Sequence, residues 1–264
     1  MRYEMQFNKL AEKLAPILRT LDYQKIGRSN KALLTQASED PFSYFVTNEW
    51  ASCEVVLAWY EKNVPRGAKV LDVGTFTGAI PLLLAWAGYK VTTIEKYDWY
   101  GDGFNPLIGY LRSNGIEVID ADITSDIVFK DTFDVVQMLA VVEHLHGSPL
   151  KVLTTLKGAL SPAGRMMISV PNQARLGKRI QLIMGDSTMP SYIDYLQSSY
   201  PFTGHHREYT FSEMKVLMSE LDFHSFEMSS IRYPGDTLSK KLINFCASFL
   251  PRTFHQMIFC VAKN

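Results

Sequence analysis

At 264 residues the chain has room for one large α/β domain with appendages. A hydrophobic fraction of 47% and a charged fraction of 20% describe a globular chain that can bury a core, and exclude a disordered one. Lys plus Arg and Asp plus Glu both number 27, so there is no broad positive field for a nucleic-acid backbone, and DNA is not an expected partner.

The three cysteines, Cys53, Cys246 and Cys260, are far apart and form no C-x-x-C pair, so neither a zinc site nor a disulfide framework is indicated. They are expected as buried thiols in a reducing compartment. Residues 1–21 alternate charged and apolar positions without the apolar block of a signal peptide. The longest apolar run, 79–87, is far short of the ~20 residues that span a bilayer, and a cytoplasmic protein is expected. Nothing in the sequence fixes the oligomeric state.

In chain order, Phe7, Leu10, Leu14, Leu18 and Leu21 repeat at helical spacing and predict a first helix with one apolar face. Residues 27–41 are polar and read as a loop or broken helix. Residues 50–60 predict a second helix, closed by Pro65 and Gly67. From there strands at 69–73, 90–94, 116–119, 133–138 and 165–170 alternate with helices at 78–87, 105–113 and 150–160. Such alternation predicts a parallel sheet with helices on both faces. Residues 171–209 have weak periodicity, include Tyr192, Tyr195, Tyr200 and Phe202, and read as a loop-rich insert after the fifth strand. Thr210-Phe211-Ser212-Glu213 has the form of a capping box opening a helix. Strands at 223–231 and 257–262 follow, with an amphipathic helix at 238–250 whose apolar side is expected to pack on the sheet. Residues 1–66 are thus read as a helical N-terminal extension or cap, and 67–264 as the main domain, with 171–209 as a lid.

Two features carry chemistry. Asp72-Val73-Gly74-Thr75-Phe76-Thr77-Gly78 joins a predicted strand to a predicted helix, where open parallel sheets bind ligands. Its glycines let backbone approach a ligand closely. Glu95 ends the next strand, 23 positions after Asp72, where a carboxylate can accept the vicinal hydroxyls of a ribose. Gly-x-Gly-x-x-Gly is absent, which argues against a dinucleotide dehydrogenase.

Together with Asp122 after the third strand, Phe133-Asp134-Val135-Val136 opening the fourth and Leu160-Ser161-Pro162-Ala163-Gly164-Arg165 before the fifth, these residues resemble a class I S-adenosylmethionine-dependent methyltransferase. Val142-Glu143-His144-Leu145 resembles the Glu-His signature of the small-molecule branch, which includes the ubiquinone-biosynthesis type of O-methyltransferase. The resemblance covers residues 69–170 and, more weakly, 206–223. It implies a Rossmann-like, mostly parallel sheet with an antiparallel last strand, S-adenosylmethionine as cofactor and S-adenosylhomocysteine as product. It further implies that Asp72, Gly74 and Gly78, with Thr75 and Phe76 in the same turn, cradle the methionine end. Glu95 would hold the ribose and Asp122 the adenine amino group, with Ile123 on the ring. Leu139 and Ala140 would line the pocket beneath the sulfonium, and Tyr97, Trp99 and Tyr100 are candidates to cover the adenine. The family usually has glycine where this chain has Phe76. Because phenylalanine adopts positive φ only at a cost, the turn is expected to be shaped differently here.

Methyl transfer to a hydroxyl benefits from a base, and histidine suits neutral pH. His144, His205 and His206 are the candidates, with His146 nearby. His144, His146 and His205 with Glu143 or Glu208 could converge on a divalent ion, but their spacing fits no tight ligand motif and no metal is expected. Met138-Leu139-Ala140-Val141 stands where the family's DNA amino-methyltransferases carry Asn/Asp-Pro-Pro-aromatic. The acceptor is therefore expected to be a small molecule, a sugar or a lipid-linked precursor, methylated on oxygen. The rival readings are an S-adenosylmethionine-binding protein without turnover, and a protein or RNA methyltransferase. Leu238, Leu242, Phe245, Phe249 and Leu250 beside Lys240, Lys241 and Arg252 leave contact with a membrane surface open.

Overall fold

The computed structural model describes residues 3–23, 39–97, 101–189, 192–198, 202, 204–233, 235 and 237–264. Seven strands form one sheet in the order β3-β2-β1-β4-β5-β7-β6, parallel except for β7, with helices around it. The chain divides into two compact units: residues 1–127 with 197–200, and residues 128–196 with 201–264.

In the first unit, α1 (Glu4–Lys13) and the short α2 (Ala15–Leu18) bury Leu10, Ala15 and Leu18. Phe7 meets Trp50 edge-on at 4.9 Å, so the N-terminal helix rests on α3 (Trp50–Asn63). A π-helical turn, Ser43–Thr47, precedes α3. Strands β1 (Lys69–Val73), β2 (Lys90–Glu95) and β3 (Glu117–Asp120) pair in parallel, with Asp72 opposite Thr93 and Glu95 opposite Asp120. After its first residue β1 is buried on both faces, as a parallel strand between helices must be. Helix α4 (Ala79–Trp86) is apolar nearly all round and buries Leu82, Leu83 and Leu84, each contributing about 1.5–3 kcal/mol. Its Pro81 falls in the first turn, where no intrahelical N–H is lost. Helix α5 (Asn105–Ser113) buries Leu107 and Leu111.

In the second unit, β4 (Phe133–Leu139) pairs with β5 (Leu160–Pro171), and helix α6 (Leu150–Gly158) connects them. The fifth strand is longer than the expected 165–170. Phe133 pairs with Leu160 and Val135 with Arg165, so the Pro-Ala-Gly turn is looped out between two paired stretches of one strand. Gly164 is obligatory there, since a Cβ would lie 2.9 Å from the Ser161 carbonyl and 3.0 Å from that of Phe133. The insert is not loop alone: it holds α7 (Leu176–Ile183) and α8 (Tyr192–Gln197). Its ends are tied together, since Gln173 N–H donates to the Tyr209 carbonyl at 2.9 Å and Tyr209 N–H to that of Pro171 at 3.2 Å. Helix α9 (Phe211–Glu220) opens on the capping box: Glu213 N–H donates to Thr210 Oγ1 at 3.2 Å, and Thr210 N–H to Glu213 Oε2 at 2.8 Å. Strand β6 (Ser225–Ile231), helix α10 (Leu238–Ser248) and β7 (Met257–Lys263) complete the unit, with β7 antiparallel to both β5 and β6. Of the cysteines, Cys53 and Cys260 are buried as expected, whereas Cys246 on α10 is exposed. Among the described residues no helix is long and apolar enough to cross a membrane.

Candidate active site

The turn after β1 sits at the carboxyl end of the strand. Asp72 is buried at 4% exposure and accepts the Thr75 hydroxyl at 3.0 Å. Gly74 N–H donates to the Ile94 carbonyl and Gly78 N–H to that of Thr75, both at 2.9 Å, so the turn is closed from within. Gly74 and Gly78 are left-handed, at φ +79° and +75°. A Cβ on Gly78 would come within 2.8 Å of Leu111 Cδ2, so the start of α4 lies hard against α5.

Phenylalanine was expected to avoid positive φ in this turn, and that premise is corrected. Phe76 itself takes φ +42°, the left-handed conformation a glycine would adopt. That conformation costs an L residue about 1–2 kcal/mol. Three contacts offset it. Phe76 N–H donates to Glu95 Oε2 at 3.0 Å, and the ring packs edge-on against Phe45 at 4.7 Å and stacks on Phe104 at 6.4 Å. Glu95 Oε1 accepts the Lys96 N–H at 3.0 Å. Burial pushes the Glu95 carboxyl above its ordinary range, with the Asp72 and Asp120 charges adding to the rise, against these two hydrogen bonds.

Asp122, after β3, accepts Thr124 N–H at 2.8 Å, the Thr124 hydroxyl at 2.6 Å and Lys96 Nζ at 3.0 Å. Partial burial pushes its carboxyl up, but Thr124 and Lys96 hold it below the usual value. Ile123 beside it is half-buried. Tyr97 is not a surface aromatic: it is 2% exposed and packs in the core 6.4 Å from Phe104. Trp99 and Tyr100, like residues 27–38 of the polar stretch, lie outside the described residues. A cavity of about 520 Å³ lined by Tyr3, Lys9, Tyr60, Arg66, Trp86 and Tyr89 lies at the amino ends of the strands, where Arg66 precedes β1 and Tyr89 precedes β2. It is remote from the turn, which follows the carboxyl ends.

In the second unit β4 ends at the half-buried Leu139, and Ala140 follows at φ +54°, its N–H donating to the Ser169 carbonyl at 3.0 Å. A second non-glycine residue in the left-handed region, again just past a strand's carboxyl end, marks local strain of the kind that clusters at functional sites. Nothing in the sequence signalled it. The turn then carries Glu143, 1% exposed, and His144, which is exposed. The Glu143 carbonyl accepts His206 N–H at 2.7 Å and Arg207 N–H at 3.3 Å, fastening the end of the insert to the Glu-His turn.

The four histidines form two edge-on pairs, His144 with His205 at 4.8 Å and His146 with His206 at 4.1 Å. Their hydrogen bonds differ. His206 Nε2 lies 2.9 Å and His146 Nε2 3.2 Å from the Phe202 carbonyl, which accepts only, so these nitrogens carry protons. His205 Nδ1 lies 3.1 Å from Glu208 Oε1. Donation from Nδ1–H to this carboxylate leaves Nε2 of the neutral ring as the basic nitrogen. Glu208 Oε2 is bound by Arg175 at 2.8 Å and by the buried Lys178 at 2.7 Å. Burial pushes Glu208 up, yet the His205 hydrogen bond and the two cations hold it down to about 2. Sequence reading weighed Glu208 only as a metal ligand; its i, i+3 spacing from His205 was the signal for this pair. Glu143, His144 and His205 also bring one ligand atom each within 4.8 Å of one another.

A methyltransferase-domain family model matches residues 47–225, more than half of the chain. The Rickettsia akari ubiquinone biosynthesis O-methyltransferase is 26% identical over 191 residues, covering 68% of each chain. Among solved structures, the plantazolicin methyltransferase BpumL in complex with S-adenosylhomocysteine superposes over the full length of both chains, with TM-score 0.58 and 15% identity. The 1,6-didemethyltoxoflavin-N1-methyltransferase of Burkholderia thailandensis superposes over 92% of this chain and 88% of its own, with TM-score 0.56 and 16% identity. The sheet and the glycine turn thus define a Rossmann-like methyltransferase fold. The chain belongs to the methyltransferase-domain family and is a class I, S-adenosylmethionine-dependent enzyme.

Proposed function

We propose that the chain methylates an oxygen of a small-molecule acceptor, with His205 as the base. The observation that carries this reading is the 3.1 Å contact between His205 Nδ1 and Glu208 Oε1. A carboxylate held ionised by Arg175 and Lys178 fixes the ring, selects the tautomer with a basic Nε2, and stabilises the imidazolium that forms when Nε2 takes the acceptor's proton. His144 packs on this ring and would steer it; His206 is tied to a backbone carbonyl and serves to close the insert. The oxygen specificity draws support from the Rickettsia relative, whereas the toxoflavin neighbour acts on nitrogen.

The residues of the first unit suit the cofactor. S-adenosylmethionine supplies a methyl group already activated on a sulfonium, which leaves alignment and proton removal to the protein. The open backbone of Gly74 and Gly78, with Asp72, Thr75 and Phe76, would hold its methionine end. Each Glu95 oxygen accepts one N–H, and a carboxylate has about four acceptor positions, so about two remain for ribose hydroxyls. Asp122 would take the adenine amino group and Ile123 the ring face; Leu139 and Ala140 would line the reacting end. Residues 1–66 would act as a cap and 171–209 as a lid over the acceptor, a role that the tied ends of the insert support.

The test is calorimetric titration with S-adenosylmethionine and S-adenosylhomocysteine, followed by an acceptor panel of phenols, alcohols and amines read by S-adenosylhomocysteine release. Binding lost in Asp72→Ala and Glu95→Ala, with turnover of hydroxyl acceptors that His205→Ala abolishes, supports the proposal. Tight binding with no turnover would instead favour a protein that holds the cofactor without catalysis. Turnover confined to protein or RNA would remove the small-molecule reading.

The proximity of Glu143, His144 and His205 favours a second reading, in which these three groups would hold a divalent ion and the ion would supply Lewis acidity towards an acceptor hydroxyl. Chelation that abolishes turnover, restored by added Mg²⁺ or Zn²⁺, would select it over the His205 base.

A further inference from the structure

Helices α7 and α10 are inverted amphipaths. On α10 and its C-terminal cap, Leu238, Leu242, Phe245 and Phe249 recur at i, i+4, i+7 and i+11 and are 85%, 61%, 62% and 75% exposed. The inward side is formed instead by the half-buried Ile243 and Asn244 and the buried Ala247, with Asn244 Nδ2 donating to the Tyr233 carbonyl at 2.8 Å. The expectation that this helix packs its apolar side on the sheet is thus reversed. Helix α7 repeats the pattern beside it. Ile180 and Ile183 and the adjoining Leu182 and Met184 are exposed, while the charged Lys178 points inward to Glu208. The two helices are neighbours, since the Cβ position of Gly177 faces Ile243 Cγ2 at 4.0 Å. Phe245 and Phe249 stack edge-on at 5.1 Å and extend the same face.

Scattered exposed apolar residues are ordinary, but two adjacent stripes facing outward are a binding surface. Its charge says for what. The chain is neutral overall, yet α7 and α10 carry no Asp or Glu, and with Lys178 taken up by Glu208 their exposed charges are the cations Arg179, Lys240 and Lys241. Lys240 and Lys241 are exposed on α10 beside Leu238 and Leu242. A second copy would meet this face across a two-fold axis with the same face, setting cations against cations. An anionic bilayer surface complements both features, with apolar side chains seated at the acyl boundary and lysines among the headgroups. We propose that the α7–α10 face docks the protein on anionic membrane surfaces. The proposal is independent of the base, the metal reading and the acceptor.

The test is flotation of the full chain, without cofactor, with phosphatidylcholine vesicles and with phosphatidylcholine–phosphatidylglycerol vesicles, at low and high salt. Wild type is expected to float with the anionic vesicles only, and less as salt rises, because headgroup attraction is screened. Leu242→Ser/Phe245→Ser and Lys240→Glu/Lys241→Glu should each lower the bound fraction at least roughly tenfold, with S-adenosylhomocysteine affinity unchanged as the check on folding. No flotation with anionic vesicles at low salt, or undiminished flotation of the Leu242→Ser/Phe245→Ser variant, would overturn the proposal. A wild-type dimer in sedimentation that the same substitutions dissolve would assign the face to a second copy.

Discussion

Phe76 and Glu95 hold each other in place: the backbone N–H of one, at φ +42°, donates to the carboxylate of the other at 3.0 Å, across 19 positions of chain. The turn therefore holds an aromatic side chain on a residue of positive φ. Phe76→Ala keeps the strained φ and loses the ring, while Phe76→Gly loses the ring but relieves the strain. Both should unfold at lower denaturant than wild type, with the glycine variant more stable than the alanine variant by about 1 kcal/mol. Urea titration of the three proteins decides; alanine above glycine would mean the positive φ carries no cost.

In the proposed role of Glu95 as ribose acceptor, cofactor affinity should depend on pH. Because burial raises its folded-state pKa, the stability linked to Glu95 is fully present below the ordinary glutamate value and is lost as pH rises through the raised one. Hydroxyls, however, need the ionised carboxylate as acceptor. Affinity for S-adenosylhomocysteine should rise with pH through a window above the ordinary carboxylate range and level off towards neutrality. Calorimetry on wild type and Glu95→Gln checks this, with the variant weaker and flat across the window.

His205→Ala should lower kcat by about 10²–10⁴-fold with little change in KM, the signature of a lost base. Glu208→Gln should lower kcat as well. It should also destabilise the fold by about 3 kcal/mol, because the buried Lys178 would keep its charge without a counter-ion. The lowered Glu208 pKa contributes stability that is present above the ordinary glutamate value and lost as pH falls through about 2. Thermal melts of wild type in acid should show that loss, and melts of the variant should not.

Ala140→Gly tests the second left-handed residue. Relief of φ +54° should raise stability by up to about 1 kcal/mol. If the strain aims the end of β4 at the reacting groups, kcat falls in the same variant; unchanged kcat would make the strain incidental.

The strands and helices of residues 69–158 were legible because each is a short periodic run bounded by glycine, proline or polar residues, and their observed ends differ from the expected ones by a residue or two. Strand β5 was misjudged at its start because Pro162 and Gly164 read as a terminator, whereas the chain loops out and re-pairs on the same partner. For α10 the spacing gave the helix and its stripe but not the direction in which the stripe faces, which depends on what the opposite side meets. Asp72, Glu95 and the Glu-His turn could be found as motifs. The Glu208 network could not be read as such, since its cations Arg175 and Lys178 join it from the far end of the insert, 33 and 30 positions away in the chain.

Strand β7 has a consequence for the order in which the molecule can be made. It fills the place between β5 and β6, paired residue for residue with each, from Arg165 opposite Lys263 to Ile231 opposite Met257. Both partners leave the ribosome before it does. Until it arrives, the outer edge of β5 is an open template and β6 has no neighbour in the sheet, so the nascent second unit is exposed to pairing with the wrong strand. Completion of the sheet is a closing step that joins its edge from the inside, and chains stalled short of residue 257 should be the ones that chaperones hold.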